Sequence, residues 1–136
     1  MNTLELKLLA VIINELADIK LNKNNNKYQL CLFIKRNKLD NLYLVNFLKT
    51  LWLDEENADN LFNYDESNNR YYIYGSKVIK LFGLLPIYEF FNKVNSTKVL
   101  TLLNNKNLFN KNRRSPLTEE EIKTLEEVRT LLNGRN

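Results

Sequence analysis

Tyr28-Gln29-Leu30-Cys31-Leu32-Phe33-Ile34 is the stretch from which the rest of the chain can be placed. Tyr28, Leu30, Leu32 and Ile34 recur at every second position, the period of a strand with one face on a core. Upstream, Thr3 to Leu21 reads as a helix. Leu4, Leu8, Val11, Ile12 and Ile19 fall on one stripe, and Leu6, Leu9, Ile13 and Leu16 widen it. Lys20 through Lys27 then reads as a polar turn rich in Asn, which tolerates positive φ without glycine. Downstream, Asp40 is the expected cap of a second helix running to about Trp52, with Leu44, Val45, Phe47, Leu48, Leu51 and Trp52 inward.

Asp54 to Asn69 reads as a loop or a short ragged strand, and Arg70 to Tyr74 as an aromatic, β-prone strand before a turn at Gly75-Ser76. Val78–Phe82, Ile87–Phe91 and Val99–Leu103 are further strand candidates around Pro86, and Asn104 to Ser115 is polar and basic. Pro116 and Thr118 open a last helix, with Thr118 as N-cap and Glu121 at the capping-box position; it runs to about Leu132 and Gly134 ends it. The expected fold is a compact α+β domain spanning residues 1–136, with an N-terminal half of about 1–75 and a C-terminal half of about 76–136. Its expected order is α-β-α-(β)-β-β-β-α, a small mixed sheet packed by helices.

Composition narrows the chemistry. Of 136 residues, 26 are Leu and 23 Asn, with three Gly, two Pro, one Cys and no His. Without His, and with Cys31 alone, a zinc finger, a Ser-His-Asp or Cys-His site and a disulfide framework are excluded. Three scattered Gly exclude a P-loop or a dinucleotide-binding turn. The bias towards Leu, Asn, Lys, Ile, Phe and Tyr follows AT-rich codons and points to an organelle genome. The start Met-Asn-Thr-Leu-Glu-Leu-Lys has neither an Arg-rich presequence nor a signal peptide, and the longest apolar run, Leu81 to Phe91, holds Pro86 and Glu89. A soluble protein of the mitochondrial matrix, with no membrane partner, is therefore expected.

The net charge of +4 is laid out in blocks. Residues 20–49 carry seven Lys or Arg and one acid, residues 50–69 six acids and no base, and residues 98–114 five bases and no acid. Solvated loops of Lys and Asn would explain part of this, but the segregation is stronger than filler predicts and favours a polyanion-facing role. Lys35-Arg36-Asn37-Lys38 leaves a strand and is expected to enter a helix, which would set side chains and helix-start N–H groups at a phosphate. Arg113 and Arg114 supply bidentate guanidiniums. The candidate RNA-binding residues are Lys20, Lys23, Lys27, Lys35, Arg36, Lys38, Ser96, Lys98, Lys111, Arg113, Arg114 and Ser115. Tyr71 lies on the opposite face from Tyr72 and Tyr74, which makes these three the aromatics to watch; the other aromatics read as core. Asp54, Glu55, Glu56 and Asp59 sit where nothing apolar would raise a pKa, and Glu119 to Glu121 suit a helix start, so no catalytic pair, metal or cofactor is expected.

Two family resemblances carry these pieces further. Leu4–Ile19, Tyr28–Ile34, Leu39–Trp52, Arg70–Tyr74, Ile87–Val94, Asn95-Ser96-Thr97-Lys98 and Val99–Leu103 resemble, in order, the elements of the universal small-subunit ribosomal protein numbered eight. Leu117-Thr118-Glu119-Glu120-Glu121-Ile122-Lys123 is similar to a segment of its tail. In place of that family's Ser-Thr-Ser-x-Gly loop stands Asn112-Arg113-Arg114-Ser115-Pro116, and in place of its Gly-Gly pair Val128-Arg129. The resemblance implies a structural, non-enzymatic protein that binds small-subunit rRNA, contacts neighbouring ribosomal proteins and forms no stable homo-oligomer.

Leu9-Ala10-Val11-Ile12-Ile13-Asn14-Glu15-Leu16-Ala17, by contrast, resembles a decayed LAGLIDADG helix, the interface motif of intron-encoded homing endonucleases. The Tyr-x-Leu-x-Leu strand after it and the ending Thr-Glu-Glu-Glu-Ile…Leu-Leu-Asn-Gly-Arg fit the same family. This resemblance implies pairing about a two-fold through the first helix, and a Mg²⁺-holding acid at that helix's end. Asn14 and Leu16 occupy the two acidic positions, with Glu15 and Asp18 out of register, so it implies a DNA- or RNA-binding protein without cleavage. The ribosomal reading is the leading expectation. The LAGLIDADG-type binder and an interaction subunit of another large complex are the alternatives.

Overall fold

A computed structural model describes residues 2–24, 27–52, 60–85 and 116–133. Helix α1 (Thr3–Leu16) starts on a capping box, in which Asn2 Oδ1 accepts from Glu5 N at 2.8 Å and Glu5 Oε1 accepts from Asn2 N at 3.0 Å. It stops five residues short of the expected Leu21, because from Ala17 the chain turns extended and becomes strand β1 (Ala17–Asn24). The physical reason is a change of period: Ala17, Ile19 and Leu21 alternate with Asp18, Lys20 and Asn22, and that alternation pairs with β2 (Lys27–Lys35). The expected polar turn at Lys20–Lys27 is thus mostly strand. The buried stripe of α1 is Leu9, Ala10, Ile12 and Ile13, while Leu4, Leu8 and Val11 of the expected stripe are exposed.

After a 3₁₀ turn (Arg36–Lys38), helix α2 (Leu42–Thr50) is capped by Asn41, whose Oδ1 accepts from Tyr43 N at 2.8 Å, and not by Asp40. Val45, Leu48 and Leu51 are buried, Leu44 and Phe47 half-buried, and Trp52 is exposed in an isolated bridge to Asn60. The ragged strand expected in the acidic stretch is β3 (Asn63–Asp65), which a four-residue turn joins to β4 (Arg70–Tyr74). In that turn Asn69 holds φ 51°, a position usually given to glycine.

Val78–Phe82, expected as a strand, lies in helix α3 (Ser76–Leu84). Val78, Leu81, Phe82 and Leu85 are spaced by three and four, and all are buried, so the helical period outweighs the β-branched composition. Helix α4 (Glu119–Asn133) opens on the expected capping box: Thr118 Oγ1 accepts from Glu121 N at 3.2 Å and Glu121 Oε1 from Thr118 N at 3.0 Å. The expected strands Ile87–Phe91 and Val99–Leu103, the basic segment Asn104–Ser115 and Gly134 lie outside the described residues.

The domain is α+β: four α-helices among the described residues and one four-stranded sheet of order β1-β2-β4-β3. Each ladder in it is antiparallel where a mixed sheet was expected. The observed order α-β-β-α-β-β-α, with α4 following, departs from the element order that the ribosomal resemblance implies. One cluster of buried side chains runs from Leu9 of α1 to Val128 of α4 and takes in Leu30, Leu32, Ile34, Tyr71 and Ile73 from the sheet.

Candidate nucleic-acid interface

Register assigns every strand residue to a face. Ala17, Ile19, Leu21 and Lys23 of β1 lie with Tyr28, Leu30, Leu32 and Ile34 of β2, Tyr71 and Ile73 of β4 and Tyr64 of β3. This is the inner face, and buried residues of α1, α2, α3 and α4 join it in the core cluster. On the outer face lie Asp18, Lys20, Asn22 and Asn24, then Lys27, Gln29, Cys31, Phe33 and Lys35, then Arg70, Tyr72 and Tyr74, and last Asn63 and Asp65. Cys31 and Phe33 are buried yet stand outside the core cluster.

Two side chains of the outer face lie over Phe33. The Arg70 guanidinium carbon is 4.7 Å from the Phe33 ring centroid and the Lys20 ammonium 5.8 Å. Tyr72 and Tyr74 pack ring against ring at 4.7 Å. Arg70 Nε is 3.6 Å from Asp65 Oδ2, an ion pair too long for a hydrogen bond. Asp65 is in turn bound by Ser67 N, Ser67 Oγ and Asn68 Nδ2 at 3.1, 2.7 and 2.7 Å. Bonds from Asn68 and then Ser67 hold its carboxyl down at about 2. Burial pushes the Cys31 thiol up, against weaker pulls from Arg70 and Lys20, which favours its neutral form.

Of the expected binding residues, the structure brings Lys20, Lys27 and Lys35 together on this face. It adds Arg70 from the neighbouring strand. Lys23 stands apart from them. One residue out of phase, it points to the helix layer, where its ammonium meets Glu126 Oε1 of α4 at 3.1 Å and lies 5.5 Å from the Tyr28 ring. Glu126 Oε1 also accepts from Tyr28 Oη at 2.6 Å, and these bonds hold the Glu126 carboxyl down at about 2.

Lys35-Arg36-Asn37-Lys38 is likewise not a helix start for phosphate. Arg36 Nη1 donates to Leu39 O at 2.8 Å, and Lys38 Nζ is 4.0 Å from Asp18 Oδ2. The first amides of α2 are taken by Asn41. Arg36 lines a cleft of about 630 Å³ with Leu42, Asn46, Lys49, Asn63 and Tyr64, apart from the three outer-face lysines. Ser96, Lys98, Lys111, Arg113, Arg114 and Ser115 lie outside the described residues.

Sequence reasoning missed Arg70, Gln29 and Asn22, although alternation held the signal: whatever places Leu30, Leu32 and Ile34 inward places Gln29 and Phe33 outward. It did separate Tyr72 and Tyr74 from Tyr71, and the register agrees. Among the described residues no group of three or more His, Cys, Asp or Glu is placed to hold a metal, and no helix is long and apolar enough to cross a membrane. Comparison with protein families, curated proteins and solved structures returns no match.

Proposed function

We propose that the chain binds duplex DNA without cleaving it, as a LAGLIDADG-type protein that lays the outer face of its sheet on the nucleic acid. One observation carries this reading: Lys20, Lys27, Lys35 and Arg70 lie on the outer face of an antiparallel sheet whose main buried cluster, among the described residues, lies on the other side. Such a face offers cations to phosphates, amides to base edges and aromatic rings beneath them. The LAGLIDADG-like segment Leu9–Ala17 forms the last turns of α1 and runs directly into β1, the helix-then-strand arrangement that this resemblance implies. Leu4, Leu8 and Val11, spaced by four and three, are 76%, 41% and 46% exposed along the same helix, an apolar stripe suited to two-fold pairing. Asn14 and Leu16 stand where the acids would hold Mg²⁺, and neither residue type supplies a carboxylate.

Fluorescence anisotropy with duplex DNA, single-stranded DNA and small-subunit rRNA over a range of salt tests it. Duplex binding is expected to fall with salt at a slope of about −0.9 per phosphate contacted, or about −3.6 for all four cations. Replacing Lys20, Lys27, Lys35 and Arg70 by Gln is expected to remove most of that slope. A preference for rRNA with the slope unchanged in this variant would defeat the reading and favour the ribosomal one.

A further inference from the structure

The cleft of about 630 Å³ that Arg36 lines opens between α2 and the β3 edge of the sheet. Leu42, Val45, Asn46 and Lys49 reach it at helical spacing, as one face of α2. Phe62 and Tyr71 are buried against it, and the exposed Tyr64 stands beside them. Tyr64 is held in place: its ring lies 4.9 Å from that of Tyr71, and its hydroxyl donates to Asn69 Oδ1. Tyr71 is 4% exposed, yet among the described residues its hydroxyl has no hydrogen-bond partner. A sequestered hydroxyl left unpaired costs stability, and a ligand in the cleft would supply the missing bond. Burial pushes that phenol up and the Arg36 charge pulls it back, which sets the guanidinium close to it. Arg36 spends one N–H on Leu39 O, and neither it nor Lys49 has an acidic partner among the described residues. The described lining holds two cations and no carboxylate.

We infer that this cleft binds a nucleoside monophosphate, with Arg36 and the Tyr71 hydroxyl on the phosphate and the base against Tyr64. A phosphate takes charge-assisted donors, and a guanidinium near a phenol supplies them. A base takes a flat apolar surface and amide partners at its edge, which Tyr64, Leu42 and the carboxamides of Asn46 and Asn63 offer. An inorganic anion would leave the apolar floor unused, and an apolar ligand would leave two cations and a hydroxyl unpaired. A cleft of this volume suits one small ligand. Lys20, Lys27 and Lys35 do not line it, so the site stands independently of the duplex-binding reading.

The test is isothermal titration calorimetry of the full chain with AMP, GMP, CMP and UMP, and with the corresponding nucleosides and inorganic phosphate alone. At least one monophosphate is expected to bind with a Kd between about 10 µM and 1 mM, and about 10-fold or more tighter than its nucleoside or phosphate. Arg36→Gln is expected to weaken it about 10- to 150-fold. Tyr71→Phe is expected to weaken it about 2- to 12-fold while the melting temperature of the free protein holds or rises, since the hydroxyl has no bond to lose there. A purely structural hydroxyl would instead lower the melting temperature and leave binding unchanged, which would overturn the inference. The variant with Lys20, Lys27, Lys35 and Arg70 replaced by Gln is expected to bind the nucleotide as the wild type does. Loss of nucleotide binding in that variant would also overturn the inference, by moving the nucleotide to the outer face. No binding of any monophosphate at about 1 mM, or equal affinity for phosphate alone, would overturn it and leave the duplex reading standing.

Discussion

Leu32 and Phe33 are neighbours in β2, one fully buried and the other 6% exposed, and different things bury them. Leu32 faces inward, into a cluster built by helices and strands of the whole domain. Phe33 faces outward, beneath the guanidinium of Arg70 and the ammonium of Lys20. The inner roof is secondary structure, fixed by the fold. The outer roof is a set of long polar side chains, and the groups that cover the ring are also the ones able to meet a phosphate. Burial on the two faces thus has different sources: inside it comes from packed helices and strands, outside from cations lying over a ring.

The largest effect should come from taking the two neighbours in turn. Leu32→Ala removes a fully buried side chain and is expected to cost about 2–5 kcal/mol in urea denaturation. Phe33→Leu keeps an apolar filler but removes the ring under two cations. It is expected to cost about 1 kcal/mol of stability while weakening duplex binding, through looser placement of Arg70 and Lys20. Equal stability losses for the two variants would show that the outer face is packed like the core, and the contrast would fail.

A smaller effect is expected where the chain passes from β4 to the helix that covers the inner face. Gly75 holds φ 59° and ψ −127°, and its N–H donates to Leu30 O at 2.7 Å, which locks the start of α3 to the middle strand. No atom lies within 4 Å of where a Cβ would stand, so Gly75→Ala meets no clash and isolates the backbone cost. It is expected to lose about 1–3 kcal/mol in thermal or urea unfolding. Binding measured on the folded fraction should hold, because the strand residue that Gly75 bonds, Leu30, faces inward. A loss of binding beyond the unfolded fraction would mean that the faces are coupled.

Much of this was legible in the chain. The alternation of Tyr28–Ile34, the strand Arg70–Tyr74, the turn at Gly75 and the capping box at Thr118 are local signals, and each is found where local chemistry puts it. The two helix-for-strand exchanges share one cause: an apolar run too short to show its period. Ile19 fits a helix stripe from Val11 as well as a strand alternating with Lys20, and only pairing with β2 decides between them. Val78-Ile79 reads as strand by composition, and only the burial of Leu81, Phe82 and Leu85 displays the helical spacing. The site was half legible for the same reason. Lysines could be counted from the sequence, but their face depends on phase, and one residue of phase sends Lys23 to Glu126 while Lys20 and Lys27 stay outside.

That displaced lysine yields the smallest effect and the finest division between the faces. Glu126 on the inner side and Asp65 on the outer side are both held down at about 2 by hydrogen bonds, from ordinary values of 4.5 and 3.8, so they favour the folded state over overlapping acid ranges. Unfolded, Glu126 takes up its proton near the ordinary value of 4.5. A depressed carboxylate stabilises fully above that value, and its contribution is lost as pH falls towards about 2. The two differ in what they hold. Asp65 ties its own turn, through Ser67 and Asn68, whereas Glu126 ties α4 to the outer end of the β1–β2 hairpin, an arm running from Leu21↔Leu30 to Asn24↔Lys27, through Tyr28 and Lys23. In melting temperature followed from pH 5 to 2, Glu126→Gln is expected to flatten the acid fall, and Asp65→Asn to do the same. Both effects should be small in high salt, where exposed charges are screened. Only the Glu126 variant should also loosen this end of the hairpin, read as faster amide hydrogen exchange at Asn22 and Gln29, whose amides face each other across β1 and β2, with Cys31–Lys35 unchanged. If both variants flatten the acid fall but neither speeds exchange in the arm, α4 does not brace it, and the arm stands on the burial of Leu21 and Leu30 alone.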